Sequence, residues 1–350
     1  MGIPIKQMFT VAKHVLISNI KGNKHYPLVL MLEPLYRCNL RCFGCGKVQH
    51  SPDILKKTLT VKECLEAIKA CGAPMISLPG GEPLLHPEIS LIVRELCGMK
   101  KYVYLCTNAL LLPSKLDDFK PSPYLSFSIH LDGPEAEHDE SVCLKGTYKK
   151  VIDILKEAVR RGFRVTTNTT LYSATDPERI RSFFDEMMSL GVEGMMISPG
   201  YPYTKAPVQD RFMLRKETIK FFRKILYNPN KKWRFNQSPL FLEYLAGARH
   251  FSCTPWGSPA YNVLGWQRPC YLFSDGYEDN FNNLINNTKW EDYGYKSENP
   301  ACSDCMVHSG HEPSAVAYTF GSLKGLFETI RAIMFGPNIP HPDDEIIIHT

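Results

Sequence analysis

Cys38, Cys42 and Cys45 stand in one short loop with the spacing C-x3-C-x2-C. Three thiolates so placed can hold three irons of a cubane 4Fe-4S cluster and leave the fourth iron open to a non-protein ligand. Zinc is the competing chemistry, but a closed zinc site wants a fourth protein ligand, and His50 is the near candidate. A second group lies far downstream. Cys253 and Cys270 frame Gly265 as C-x11-G-x4-C, and Cys302 with Cys305 adds C-x2-C. These four can hold a further cluster or a zinc ribbon, with His308 or His311 able to replace a ligand. Of the remaining thiols, Cys64, Cys71, Cys97 and Cys143 read as buried packing, whereas Cys106 stands apart.

The elements that must position these residues are βα units. Apolar strand-like runs at Pro27 to Glu33, Met75 to Leu78, Tyr102 to Cys106, Tyr124 to Leu131, Arg164 to Thr170 and Gly194 to Ser198 alternate with amphipathic helices. Thr60 and Glu63 predict a capping box, and Asp176-Pro177 an N-cap with a first-turn proline. In such sheets chemistry gathers where strands finish. Gly80-Gly81-Glu82-Pro83 follows the second strand, Thr107-Asn108 the third, and Ser128 to Gly133 the fourth. Period-two alternation turns Ser126, Ser128, His130 and Asp132 inward on the fourth strand, and Tyr102, Tyr104, Cys106 and Asn108 on the third. Asn168 is the inward polar group of the fifth. For His130 and Asn168 the plain alternative is structural hydrogen bonding, and for Cys106 a small core filler.

The 350 residues carry 41 Lys and Arg against 36 Asp and Glu, a net charge of +5 with no concentrated basic run, so nucleic acid is not implied. The N-terminus lacks the pattern of a signal peptide, and no run approaches the roughly 18 apolar residues of a membrane span. A reducing cytoplasm is the default, where close cysteines read as ligands rather than disulfides. Residues 1–26 and 321–350 each carry an amphipathic helical pattern, which suits either packing on the protein's own core or a membrane surface; after Pro337 a flexible tail is expected. Residues 27–212 hold the strand–helix repeat. Residues 213–320 lose it, and read as a second, smaller domain.

With strand order and motifs taken together, the sequence resembles the radical S-adenosylmethionine (SAM) superfamily. The resemblance implies an α/β fold, a partial (β/α)6 TIM-type barrel, with a cluster whose open iron is chelated by SAM. It implies that Gly80, Gly81 and Glu82 bind the methionine amino group, and that Thr107, Asn108, Ser128, His130, Asn168 and Ser198 at later strand ends hold the rest of SAM. One departure is that Gly44 precedes the last cysteine where the superfamily has an aromatic residue, with Phe43 one position earlier. Cys253, Cys270, Cys302 and Cys305 resemble the small C-terminal twitch, or shortened SPASM, appendage that binds an auxiliary 4Fe-4S cluster.

A narrower resemblance is to the adenosylhopane synthases of hopanoid biosynthesis, carried by Pro27 to Leu40, Tyr104-Leu-Cys-Thr-Asn-Ala-Leu, His130-Leu-Asp-Gly, Lys232-Trp-Arg-Phe-Asn, Cys253-Thr-Pro-Trp-Gly and Gly265-Trp-Gln-Arg-Pro-Cys270. It implies addition of the adenosyl radical to the terminal alkene of diploptene, with a flavodoxin- or ferredoxin-type electron donor and peripheral contact with the inner face of the cell membrane. Addition leaves a carbon radical that must be quenched by a hydrogen atom, for which an inward S–H at Cys106 would serve, or by an electron and a proton, with the auxiliary cluster or an external reductant as the competing electron source. Two other functions compete. One is a radical SAM enzyme that abstracts hydrogen from another lipid or a peptide, although about 25 residues before the first strand are too few for a leader-peptide-binding module. The other is a non-enzymatic zinc protein.

Overall fold

In the computed structural model, which describes all residues except Met1, Ser274 and 347–350, the six expected strands form: β1 (Val29–Glu33), β2 (Met75–Leu78), β3 (Tyr102–Thr107), β4 (Leu125–His130), β5 (Arg164–Leu171) and β6 (Gly194–Pro199). Each pairs in parallel with the next. Leu125, Phe127, Ile129 and Leu131 are sealed under helices, as expected for parallel strands covered by their crossovers. Helix α1 (Ile5–Ile20) precedes the sheet. The principal crossover helices are α2 (Val61–Cys71), α3 (Ile89–Gly98), α4 (Thr147–Arg160) and α5 (Pro177–Ser189). The Thr60/Glu63 capping box opens α2, and Gly72 closes it at φ 72°. Asp176 caps α5 by accepting from the Glu178 amide.

The C-terminal segment is not detached from this sheet. β7 (Ala260–Asn262) pairs in parallel with β1, then β8 (Gly265–Gln267) and β9 (Tyr277–Glu278) continue antiparallel, giving the order β6-β5-β4-β3-β2-β1-β7-β8-β9. β1 thus spends its free edge on β7. Three-residue strands carry too little alternation to be read from sequence, which is why the join was not foreseen.

Helices α6 (Arg215–Leu226), α7 (Pro239–Leu245), α8 (His308–Gly321) and α9 (Leu323–Phe335) complete the fold. The tail expected to be flexible is held as far as residue 346. Asn338 donates its amide to Glu243, Arg223 donates to the Asp344 carbonyl, and Ile339 and Ile346 pack on the core; the last four residues lie outside the described ones. Polar anchors override composition here. Cys64 and Cys71 are buried as expected, but Cys143 is exposed, on a left-handed turn at φ 55°.

The amphipathic ends pack differently from their apolar stripes. α1 buries Gln7, Val11, Val15 and Ser18, with Gln7 Nε2 donating to the Tyr104 hydroxyl at 2.8 Å. α9 buries the small face Gly325, Thr329 and Ala332. Large apolar side chains of both helices are left outside. No described helix is long and apolar enough to cross a membrane.

Glu243, almost fully buried, receives Arg249 at 2.9 Å, Arg331 at 3.3 Å and the Asn338 amide at 2.9 Å. Glu243→Ala leaves Arg331 and the Asn338 amide without this acceptor and Arg249 with Glu328 alone, and is expected to cost about 1–3 kcal/mol. Urea unfolding measures the cost, and limited proteolysis should cut the variant first after Pro337. An unchanged midpoint and cutting pattern would contradict this anchoring.

Candidate active site

The ends of all six parallel strands border one cavity of about 1310 Å³. Cys38, Cys42 and Cys45 reach it from the loop after β1, and Gly80, Gly81 and Glu82 from the end of β2. Cys106, Thr107 and Asn108 come from β3, Ser128 and His130 from β4, Asn168 from β5, and Ser198 from β6. The cavity continues past them between α1 and the α8–α9 turn, where its wall becomes apolar: Met8, Ala12 and Leu16 on one side, Val316, Phe320 and Ile330 on the other.

The loops are stitched together before any ligand enters. The Gly81 amide donates to Leu35 O at 3.0 Å and the Glu82 amide to Arg37 O at 2.7 Å. A Cβ on Gly81 would strike the Tyr36 and Arg37 carbonyls, so only glycine lets the β2 loop lie against the cysteine loop. The Glu82 carboxylate accepts from Thr107 Oγ1 (2.7 Å), the Asn108 amide (2.9 Å) and the Leu84 amide (3.0 Å). Burial raises its pKa against those donors. Asn108 Nδ2 in turn donates to Asn39 Oδ1 at 2.8 Å, beside Cys38. In this structure Glu82 therefore ties three strand ends together as well as lining the cavity.

His130 Nε2 lies 3.0 Å from Asp132 Oδ2. Burial alone would lower the His130 pKa, but the Asp132 charge beside it wins and raises it; burial would raise Asp132, and His130 holds it down instead. Asp132 also accepts the Thr170 amide at 2.8 Å, fixing the β4 and β5 ends to each other.

The three loop thiols are buried deeply enough to push their pKa values up, Cys38 to about 11, and they repel one another when ionised. A cationic iron core relieves both penalties. His50 stacks on Tyr36 with ring centroids 4.8 Å apart, so the nearby ring is engaged elsewhere. Among the described residues no three His, Cys, Asp or Glu side chains converge on one ion; a cubane instead spreads its thiolates over separate irons. These residues fit a 4Fe-4S cluster with SAM on its open iron.

Beside Gly44, the position before Cys45 that lacks an aromatic residue, stands Tyr172. Tyr172, just after β5, packs on Phe43 (4.7 Å between centroids) and lines the cavity. A Cβ on Gly44 would collide with the Tyr172 hydroxyl, and one on Gly200 would lie 2.7 Å from its ring. Two glycines remote in sequence make this slot, a relation no local pattern exposes.

Cys106 Sγ lies 3.3 Å from Ser77 Oγ on the cavity wall, and burial raises its pKa. Glu312, which sequence reasoning passed over, also lines the cavity. Its Oε1 accepts the Ser238 amide at 2.7 Å, its Oε2 has no partner among the described residues, and burial lifts its pKa to about 8. His308 likewise belongs to this cavity, whereas the sequence placed it with the downstream cysteines.

Those cysteines, Cys253, Cys270, Cys302 and Cys305, surround a second, small cavity together with His311. A Cβ on Gly310 would lie 2.6 Å from Cys253 Sγ, and one on Gly294, at φ 102°, 3.1 Å from Cys253 Cβ. His311 is turned to the Phe251 carbonyl at 3.2 Å and stacks on Tyr244. Arg215, buried at the start of α6, donates to the carbonyls of Ser303 (3.0 Å) and Cys305 (2.8 Å) and sets a positive charge beside the thiols. The donor set fits an auxiliary cluster held by four thiolates, with Arg215 offsetting their charge.

Comparison with known proteins agrees with this arrangement. Residues 32–187 match the radical SAM superfamily, and residues 195–329 match a domain of unknown function, DUF3463. The GTP 3′,8-cyclase of Clostridium perfringens (strain SM101 / Type A) is 26% identical over 150 residues, 41% of this chain and 46% of that protein. The AdoMet-dependent heme synthase of Methanosarcina barkeri is 28% identical over 169 residues, 47% of this chain and 48% of that protein. The chain spans about half the length of the curated relatives it matches. Among solved structures, Streptococcus suis SuiB bound to precursor peptide SuiA superposes with a TM-score of 0.63 at 17% identity, covering 86% of this chain and 74% of that one. The anSMEcpe structure with bound AdoMet gives 0.55 at 15%, covering 88% and 99%. Residues 32–187 thus carry a radical SAM domain on a mostly parallel α/β sheet, followed at 195–329 by the DUF3463 domain. The cofactors of that class are a 4Fe-4S cluster and SAM.

Two predictions follow from the buried charges. Glu312 has a folded pKa near 8 against an ordinary 4.5, so the stability it confers is complete below 4.5 and is lost as pH rises toward 8, by about 1.4 kcal/mol per pH unit. Glu312→Gln should therefore gain on the wild type between about pH 6 and 8 in urea unfolding; a constant difference would contradict the shift. Arg215→Leu should lower the iron content by about one cluster per chain while SAM still binds, with full iron retention as the contrary result.

Proposed function

We propose that this protein adds the 5′-deoxyadenosyl group of SAM to the terminal alkene of diploptene, forming a carbon–carbon bond and yielding adenosylhopane. The observation that carries the reading is the single continuous cavity, polar at the cysteine loop and apolar toward α1 and α9. Its volume of about 1310 Å³ exceeds the ~300–1,000 Å³ of ordinary ligand pockets, leaving room for SAM and a bulky hydrocarbon end to end. That all six strand ends border one space also supports a partial-barrel curvature of the sheet.

When bound, the cluster and SAM supply a 5′-deoxyadenosyl radical. The protein's own task is to hold the alkene carbon close to the polar end and keep water out, which the apolar wall accomplishes. Addition leaves a carbon-centred radical on the hopane skeleton. Cys106 then gives its sulfur-bound hydrogen atom to that carbon. A C–H bond forms, the S–H bond breaks, and one electron from a flavodoxin- or ferredoxin-type donor with one proton from solvent restores the thiol. A thiolate could not do this, and burial, which raises the Cys106 pKa, keeps the group in the thiol form to higher pH. Cys38, Cys42 and Cys45 would hold the SAM-binding cluster. Cys253, Cys270, Cys302 and Cys305 would hold the auxiliary one.

Anaerobic incubation with SAM, reductant and diploptene, followed by mass analysis, should give an adenosyl-hopane adduct. Cys106→Ala is expected to lower saturated adduct by more than about tenfold, or to scramble its stereochemistry, while SAM cleavage continues. Normal yield and stereochemistry from the variant would exclude Cys106 as the donor. Free 5′-deoxyadenosine without adduct would favour hydrogen abstraction from another substrate. A colourless protein throughout anaerobic purification would favour the zinc reading.

A further inference from the structure

The mouth of the cavity is bounded by two helices that turn large apolar side chains to the outside. On α1 these include Ile5 (66% exposed), Phe9 (71%) and Ile20 (85%); on α9, Leu323 (88%), Phe327 (70%) and Phe335 (79%). Scattered apolar residues are ordinary on a protein surface, but a contiguous set around an apolar opening is not. Continuity is direct: Phe9, Leu16, Leu323, Leu326 and Ile330 are exposed and also line the cavity. The two helix ends meet where Gly321, before α9, lies against Asn19 of α1.

Charge decides what covers this rim. Residues 2–32 contain no Asp or Glu, and Lys6, Lys13, Lys21 and Lys24 are all exposed. Lys324 adds to them from α9. The acid on α9, Glu328, is occupied by Arg249 at 2.8 Å and by the Tyr318 hydroxyl, and Arg331 reaches Glu243. A second copy would bring the same lysines against themselves. A surface of anionic phospholipid instead takes the apolar side chains below its headgroups while the lysine stems reach up to the phosphates.

We infer that the apolar rim of α1 and α9 docks on an anionic lipid bilayer, so that the cavity opens toward the hydrocarbon. This rests on the lipid-substrate reading above. A substrate dissolved in the bilayer then enters without crossing water, and the cysteine end stays on the aqueous side.

Vesicle co-sedimentation tests the docking, using the cluster-loaded protein and phosphatidylcholine vesicles with or without one-third phosphatidylglycerol, the triple variant Ile5→Ser/Phe327→Ser/Phe335→Ser, and the charge variant Lys6→Glu/Lys21→Glu. The replaced side chains do not line the cavity, and iron content with SAM cleavage checks that the variants are folded. The wild type should bind phosphatidylglycerol vesicles, and both variants should bind them at least about tenfold more weakly. Adduct formation from diploptene in detergent micelles should be unchanged in the triple variant. Wild-type protein that ignores the vesicles, or variants that bind as well as wild type, would overturn the docking. Loss of self-association in the triple variant with unaltered vesicle binding would assign the rim to a second copy. Vesicle binding without any adduct in micelles would leave the docking standing and remove the diploptene reading.

Discussion

Parallel pairing in chain order is the constraint on which the rest of this structure depends. Because β1 to β6 each pair with their sequence neighbour in the same direction, every loop that follows a strand emerges at one edge of the sheet. Residues from Cys38 to Ser198 are thereby delivered to one cavity although 160 positions separate them. The loops would still drift without cross-links. Glu82 supplies them between β2 and β3, and Asp132 between β4 and β5. Both carboxylates are buried and their oxygens accept several hydrogen bonds, the condition under which burying such a group is tolerable.

The same edge divides the cavity chemically. At the strand ends its wall is made of thiols, hydroxyls, amides and an ion pair, which suit a cluster and a charged co-substrate. Beyond them the wall is taken over by α1, α8 and α9, through apolar side chains such as Met8, Ala12, Leu16, Val316, Phe320 and Ile330, with Gln7, His308, Glu312 and Thr329 set among them. A carbon radical attacks nearly any C–H bond, so restraint must come from geometry and the exclusion of water. The apolar stretch of wall suits that exclusion, and Cys106 lines the same cavity from the end of β3.

Much of this could be read from the sequence because the signals were local and periodic. The strands fell within a residue or two of their expected limits, the Thr60/Glu63 capping box formed, and the alternation on β3 and β4 put Cys106, Ser128 and His130 inward as their spacing required. What escaped was relational. Gly44 looked like a departure from the family pattern, yet its missing Cβ is what admits Tyr172 from 128 positions away. Arg215 sits in an ordinary amphipathic helix and gives no hint of the cysteine loop it holds. The apolar stripe of α1 suited either the core or a membrane surface, and the face buried is Gln7, Val11, Val15 and Ser18, with Gln7 bonded to the Tyr104 hydroxyl. Three-residue β7 had no pattern to read at all.

The central claim is that one cavity holds both the adenosyl donor and an alkene, with a protein thiol closing the reaction. Thiol hydrogens exchange with solvent and carbon-bound hydrogens do not, so the product made in deuterium oxide reports on both halves of the claim. The account predicts an adenosyl-hopane adduct carrying one non-exchangeable deuterium on the former alkene carbon of the hopane as a single stereoisomer, with that product lowered or its stereochemistry scrambled in Cys106→Ala. An adduct without deuterium, or free 5′-deoxyadenosine in place of an adduct, would contradict it.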